Sequence, residues 1–330
     1  MSNFLDNLFS RASKLNKKIA LAEGDDVRAA KAAEILTKKK MCKVVLIGDK
    51  NAIVSKFKDI DFNGVEFLNP AVDNTKEYAD FLYELRKEKG MTPEAAEKLI
   101  KENNMYYSAV ALKKGDVDGV VGGAVFSSAD VSRAAFQVVK PKAGIKSVSS
   151  CFIMVPPQDF KYGNAPAYVF ADCAVIPYPD ENQLADIVQA AYLSCKNIVE
   201  IEPKIAMLSF STLGSAKHEN VDKVRNALAI VKQSSPEIDV DGELQFDAAL
   251  VPTVANQKAK GSSVAGQANV FVFPNLDAGN IGYKIAQRLG NFMAIGPIMQ
   301  GLSKPINDLS RGCVAEDIVA VAAITCLQGE

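Results

Sequence analysis

Two periods of hydrophobicity take turns along the chain. Short runs of consecutive apolar residues are followed by longer stretches whose apolar positions recur every three or four residues. The runs at residues 18–22 (KIALA), 42–47 (CKVVLI), 118–121, 167–170 (AYVF), 205–211 (IAMLSFS) and 270–273 (VFVF) predict core strands. The longer period predicts helices over 25–38, 92–102, 129–139, 181–196, 219–232, 280–289 and 316–327. Strands alternating with helices of this length mean α/β organisation, with largely parallel sheets covered on both faces. Two joints rich in Pro, Gly and Lys, 140–144 (KPKAG) and 296–305, predict crossings between two α/β domains. The expected division is 1–143 with 300–330 as the first domain and 144–299 as the second. The two joints would form a hinge beside a cleft. Ligand sites in such sheets lie outside the carboxyl ends of strands and often between domains.

Composition narrows the partners. With 330 residues, 48% apolar and 23% charged, the chain can bury a sizeable core in about two domains. Its 38 basic and 39 acidic residues leave a net charge of −1. That balance offers no field for nucleic acid or an anionic membrane, so an anionic ligand must be held by local Arg and Lys. No apolar run reaches the roughly 18 residues of a membrane span, and residues 1–18 are polar and mixed, unlike a signal peptide. The six cysteines are scattered, with no C-x-x-C or Cys/His cluster for zinc. The simplest expectation is reduced thiols in a cytoplasmic protein, with no metal. His218 is the only histidine, which disfavours Ser/His/Asp catalysis.

The densest candidate chemistry lies near the end of the chain. Asn307-Asp308-Leu309-Ser310-Arg311-Gly312 is a polar turn running into a uniformly apolar helix. Free N–H groups and the positive dipole end make such a helix start attractive to anions. Arg311 adds a bidentate fork suited to phosphate, and Asp317 puts a carboxylate in the first helical turn. Together they suggest chemistry on a phosphorylated molecule with a carboxylate as base, although Asp317 by itself reads equally well as a dipole-complementing residue. A second string, Gly122-Gly123-Ala124-Val125-Phe126-Ser127-Ser128-Ala129-Asp130, follows a strand, holds a capping-box pattern and precedes Arg133. It fits either a backbone that approaches a ligand closely or an ordinary strand–turn–helix. A third, Ser209 to His218 (SFSTLGSAKH), carries Ser211 and Thr212 and could cradle a phosphate, or be a Ser-rich capped loop; the P-loop spacing is absent. Glu84 to Gly90 reads as a charged helical face ended by a glycine. In Asp277-Ala278-Gly279-Asn280, Asn280 either faces a ligand or caps a helix. No G-x-G-x-x-G follows the first strand.

Seven strings carry a family likeness: IALAEGDDVRAAKAA, GGAVFSSADVSRAAFQ, PYPDENQLADIVQ, LSFSTLGSAKH, DGELQFDAALVP, VFVFPNLDAGNIGYKIAQRLG and GPIMQGLSKPINDLSRGCVAEDIV. In this order, across residues 18–328, the chain resembles phosphate acetyltransferases (phosphotransacetylases). The resemblance implies reversible acetyl transfer between acetyl phosphate and coenzyme A. It implies two three-layer αβα domains similar in fold to the isocitrate/isopropylmalate dehydrogenases, with the active site in the interdomain cleft. It implies a homodimer of acetate metabolism, with coenzyme A as a substrate and no permanently bound cofactor or metal. Carried over by position, the family's functional residues fall on Ser310, Arg311, Asp317, Arg133 and Arg86. Ser127, Ser128, Ser211, Thr212 and Asn280 complete the expected substrate contacts. The expected step is direct attack by the coenzyme A thiolate, with Asp317 as base and its pKa raised by burial.

Three other readings are weighed against this. A phosphate butyryltransferase would do the same chemistry on a longer acyl chain. An NAD-dependent decarboxylating dehydrogenase of the related fold would need a nucleotide site and a metal-holding acid cluster, and none stands out. A non-catalytic acetyl-CoA sensor would not need Ser310, Arg311 and Asp317 together.

Overall fold

The computed structural model describes residues 3–163 and 165–329. The chain separates into two compact units, one running to Ala143 and resuming at Leu302, the other Gly144–Gly301.

The first unit is built on strands β1 (Lys18–Leu21), β2 (Lys43–Ile47), β3 (Val65–Leu68), β4 (Gly119–Val121) and, from the returning segment, β11 (Ile306–Asn307). Their order is β11-β4-β1-β2-β3, and every pairing is parallel. The chain steps from β1 to β2 and β3 on one side, then crosses back to β4 on the other. The carboxyl ends of β1 and β4 therefore flank the topological switch point, where open α/β sheets bind ligands. The Val27–Lys38 helix leaves β1 with Asp26 as its cap and buries Ala29, Ala30, Ala32, Ala33 and Leu36. The final helix, Ala315–Gln328, is buried continuously from Ile318 to Leu327, as its unbroken apolar sequence requires. It lies so close to β4 that a Cβ on Gly119 would fall 2.4 Å from the Thr325 methyl. Asn307 joins β11 to the same helix, donating to Thr325 Oγ1 at 2.9 Å and Gln328 Oε1 at 2.7 Å.

The second unit holds β5 (Ser149–Val155), β6 (Tyr168–Ala171), β7 (Ile205–Leu208), β8 (Val240–Leu244), β9 (Val270–Val272) and β10 (Met293–Gln300) in the order β10-β5-β6-β9-β7-β8. Four strands run parallel; β5 and β10 pair antiparallel at one edge. Aromatic rings fill much of its core: Phe152 stacks on Tyr283 with centroids 3.9 Å apart, and Phe170 meets Phe271 edge-on at 5.4 Å.

Two sequence expectations need correction. Of the joint expected over 296–305, the crossing between the units falls at Gly301–Leu302, whereas Gly296-Pro297 is the middle of β10, with a register shift between Ile295 and Ile298. Proline is tolerated there because β10 is an edge strand and the bulge needs no N–H at that point. The helix expected over 129–139 is two pieces, Ser128–Ala134 and a widened turn Ala135–Val139 closed by Lys140 N–H to Ala135 O at 2.9 Å.

Candidate active site

The carboxyl ends of β1, β4 and β11 converge on a carboxylate that the sequence reading passed over. Glu23, the second residue after β1, is 4% exposed. Its carboxylate accepts four successive backbone N–H groups from the turn after β4. Gly123 and Ala124 donate to Oε2 at 3.1 and 2.9 Å; Val125 and Phe126 donate to Oε1 at 2.7 and 2.8 Å. This is an anion nest, and the chain's own side chain occupies it. The glycine-rich turn thus wraps Glu23, and those N–H groups are not offered to a ligand. Gly123 is needed for a different reason. It sits at φ +113°, and a Cβ on it would lie 2.1 Å from Asp308 Oδ1 and 2.7 Å from the Leu309 nitrogen.

Arg28, in the first turn of the helix after β1, ties the neighbouring loops together. Its guanidinium grips Asp26 through Nε–Oδ1 and Nη2–Oδ2, both 2.9 Å. It also donates to Ala124 O at 2.8 Å and Arg311 O at 2.8 Å. The Arg28 hydrogen bond holds the Asp26 carboxyl below the usual carboxylate range.

The Ser310–Arg311 turn projects from this framework. Both residues are exposed, and Ser310 Oγ accepts the Gly312 N–H at 3.4 Å. Asp317 stands at the third position of the final helix, half-buried, and its Oδ2 accepts the Val314 N–H at 2.9 Å. That is one half of a capping box. The other half is missing, because Val314 has no side-chain oxygen. The burial expected at Asp317 occurs instead at Asp308, which is 2% exposed. Burial, with a smaller contribution from the Glu23 carboxylate, pushes the Asp308 pKa up to about 7, against hydrogen bonds from Ser128 and the Leu309 N–H.

The helix after the Glu23 nest brings the next set. Ser127 caps it, accepting the Asp130 N–H at 3.2 Å and donating to Asp130 Oδ2 at 2.6 Å. Asp130 Oδ1 holds Arg133 Nη1 at 2.8 Å, leaving that side chain 55% exposed. Ser128 faces Asp308. Arg86 ends the Thr75–Arg86 helix, and its Nε is buried without a partner among the described residues. Both arginines act electrostatically on Tyr106, whose hydroxyl donates to Gln137 Oε1 at 2.8 Å. Burial raises the Tyr106 pKa, while the positive charges of Arg133 and Arg86 oppose the rise. The first unit therefore carries Ser127, Ser128, Arg133, Arg86, Ser310, Arg311 and Asp317; Asp308 meets Ser128, Arg28 holds the Arg311 carbonyl, and Tyr106 feels both Arg133 and Arg86.

The remaining expected contacts belong to the second unit and point inward. Ser211 is fully buried and donates to Glu243 Oε1 at 2.8 Å; Gly214 N–H donates to the same oxygen at 2.7 Å. Thr212 Oγ1 accepts the Gln245 N–H at 3.0 Å. Their loop is organised on Glu243, so neither hydroxyl is presented to a ligand. Asn280 is neither a turn residue nor a cap. The helix is Leu276–Leu289, Asn275 caps it, and Asn280 donates to Cys173 O at 3.1 Å. His218 caps the Glu219–Ser234 helix, its Nδ1 accepting the Asn220 N–H at 3.1 Å. Among the described residues, no group of three or more His, Cys, Asp or Glu could hold a metal ion, and no helix is long and apolar enough to cross a membrane.

The first unit thus bears cations, hydroxyls and carboxylates on the side of its parallel sheet where open α/β sheets bind ligands. Comparison with known proteins gives this arrangement its particulars. The family model described as phosphate acetyl/butaryl transferase matches residues 3–326. A phosphate acetyltransferase of Acetivibrio thermocellus is 50% identical over 99% of this chain and 98% of its own length. The crystal structure of a phosphotransacetylase from Streptococcus pyogenes superposes with a TM-score of 0.91 at 42% identity, covering 100% of this chain and 99% of that one. A 4-hydroxythreonine-4-phosphate dehydrogenase from Klebsiella pneumoniae, 11% identical with a TM-score of 0.55 over 95% of this chain and 100% of its own, shares the fold. The chain belongs to the phosphate acetyl/butaryl transferase family and is an acyltransferase.

Proposed function

We propose that the protein transfers an acetyl group reversibly between acetyl phosphate and coenzyme A, by direct thiolate attack within a ternary complex. The observation that carries this reading is the exposed Ser310–Arg311 turn leading into the helix of Asp317, in the unit that also bears Arg86 and Arg133. The relatives' names supply the substrates.

The chemistry sets a clear requirement. A thiol near pKa 8.5 and a carboxylate near 3.9 differ by about 4.6 units, so proton transfer is uphill by roughly 6 kcal/mol. Asp317 sits at a helix N-terminus, where its Oδ2 accepts the Val314 N–H, and serves as the base. The gap is narrowed from the thiol's side. Arg311 and Arg133 provide the positive field that lowers the thiol's pKa. As sulfur attacks the carbonyl carbon, a tetrahedral oxyanion forms. Ser310 donates to it, and collapse expels phosphate, a good leaving group held by Arg311 and Arg133. Asp130 and Ser127 fix Arg133 beforehand, which lowers the ordering cost of binding.

Coenzyme A is in this reading a substrate, with no cofactor permanently bound. The protein works in the cytoplasm, where its six unpaired thiols stay reduced. It assembles as a homodimer. Ile281, Ile285 and Leu289 form an exposed apolar stripe along one helix, 57, 53 and 83% exposed, which supports that assembly. The test is to mix purified protein with acetyl phosphate and coenzyme A and follow thioester absorbance in the ultraviolet. Turnover supports the reading; tight acetyl-CoA binding without turnover contradicts it. Propionyl and butyryl phosphate test acyl length, where each methylene is worth only about 1–3 kcal/mol.

A further inference from the structure

The Glu23 nest and the Arg28 clamp both join loops, but neither explains why a second carboxyl is buried among them. Asp308 lies one residue beyond β11 and two before Ser310. Its Oδ1 is buried with no hydrogen-bond partner among the described residues and rests on the bare Cα face of Gly123. Its carboxyl also meets Ser128, the first residue of the helix that carries Arg133. The Leu309 nitrogen crowds the same face of Gly123, so only glycine allows the two loops to approach this closely. A buried, half-satisfied carboxyl is costly, and an apolar residue would fill the space more cheaply.

We propose that Asp308 is a positioning residue for the transfer reaction: seated on Gly123 and against Ser128, it fixes the Ser310–Arg311 turn relative to the helix bearing Arg133. The proposal rests on the reading that this edge performs acyl transfer. In this role Asp308 acts through its neighbours and does not touch the reacting atoms. The form that fits the seat is the neutral acid. Ionisation would place a second carboxylate beside Glu23 in a dry site, and burial accordingly raises the pKa to about 7. The charged groups around it are Glu23 at the end of β1 and, across Glu23, the Arg28–Asp26 pair. Cys313 lies in the same neighbourhood, its thiol pushed up to about 11 by burial and therefore neutral. As pH rises through the Asp308 pKa, the seat loosens and the turn drifts from its working place.

Asp308→Asn keeps the shape and stays neutral at every pH; Asp308→Ala empties the seat. The decisive quantity is kcat/KM of D308N divided by that of the wild type, because ionisation of coenzyme A and acetyl phosphate cancels in the quotient. It should rise roughly threefold or more between about pH 6 and about pH 8.5, while D308A falls at least about tenfold below D308N at both. A flat quotient, or D308A equal to D308N, overturns the proposal. A wild-type chain with no turnover at any pH would count against the acyl-transfer reading instead. The seat is then read without substrate: the urea midpoint of D308N should gain on that of the wild type across the same pH range, and a constant difference overturns it.

Discussion

Glu23 shows most plainly what a single side chain contributes to this edge. One carboxylate satisfies four N–H groups that would otherwise point, unpaired, into the protein. Glu23→Gln would keep the size and replace one acceptor oxygen by an NH2 facing two donors. We expect a loss of about 2–4 kcal/mol in urea denaturation, from two orphaned N–H groups and the lost charge assistance. A loss below about 0.5 kcal/mol would mean the nest is held by its backbone alone. Ser310, Arg311 and Asp317 could be read from the chain because they form one local string. Glu23 could not, since its partners lie 100 and more residues away, and Arg28 meets the Arg311 carbonyl across 283 residues. Nothing in a local pattern marks an acid whose donors come from another strand's turn. The one available hint was an acid at a strand's end, followed by an arginine in the next helix's first turn.

The final helix carries Asp317, the base in the proposed reaction, and lacks a good cap. Val314 stands at the N-cap, 53% exposed, and cannot accept the Asp317 N–H with its side chain. Val314→Ser would complete the capping box and should raise stability by about 1 kcal/mol, read as a higher thermal midpoint. No gain would mean that the neighbouring turn cannot bring the hydroxyl within reach. Capping logic also explains where sequence reading placed elements well and where it slipped. Asp26 and Thr92 are caps with their own hydrogen bonds, and the helices after them begin at Val27 and Pro93, two and one residues past the expected starts at 25 and 92. Asn280 misled because Asn275, just after Pro274, is the true cap. The Asn104–Lys114 helix and β5 were missed because both are buried almost throughout; an element covered on every side has no polar face to give it a period. The joint at 296–305 holds the crossing but begins too early, because Gly-Pro reads as a turn signal and here sits at a bulged sheet edge.

Across the whole molecule, fold class followed from alternating periods, and the family followed from seven strings in order. Which candidate residues are presented to a ligand did not follow from either. Hydroxyl-rich strings look alike whether they face a ligand, as the Ser310 turn can, or wrap a buried carboxylate, as Ser211 does with Glu243. Assembly is decided at this scale too. If the Ile281, Ile285 and Leu289 stripe is covered in a homodimer, Leu289→Glu should shift the mass measured by light scattering toward one chain; an unchanged dimer would place the interface elsewhere. The central claim is that the Asp317 carboxylate takes the proton from coenzyme A. It is tested most directly by steady-state thioester formation with wild-type protein and Asp317→Asn side by side. We expect the variant to keep KM for both substrates within a few-fold while kcat falls by about 10²–10⁴. A kcat for D317N close to that of the wild type would contradict the account.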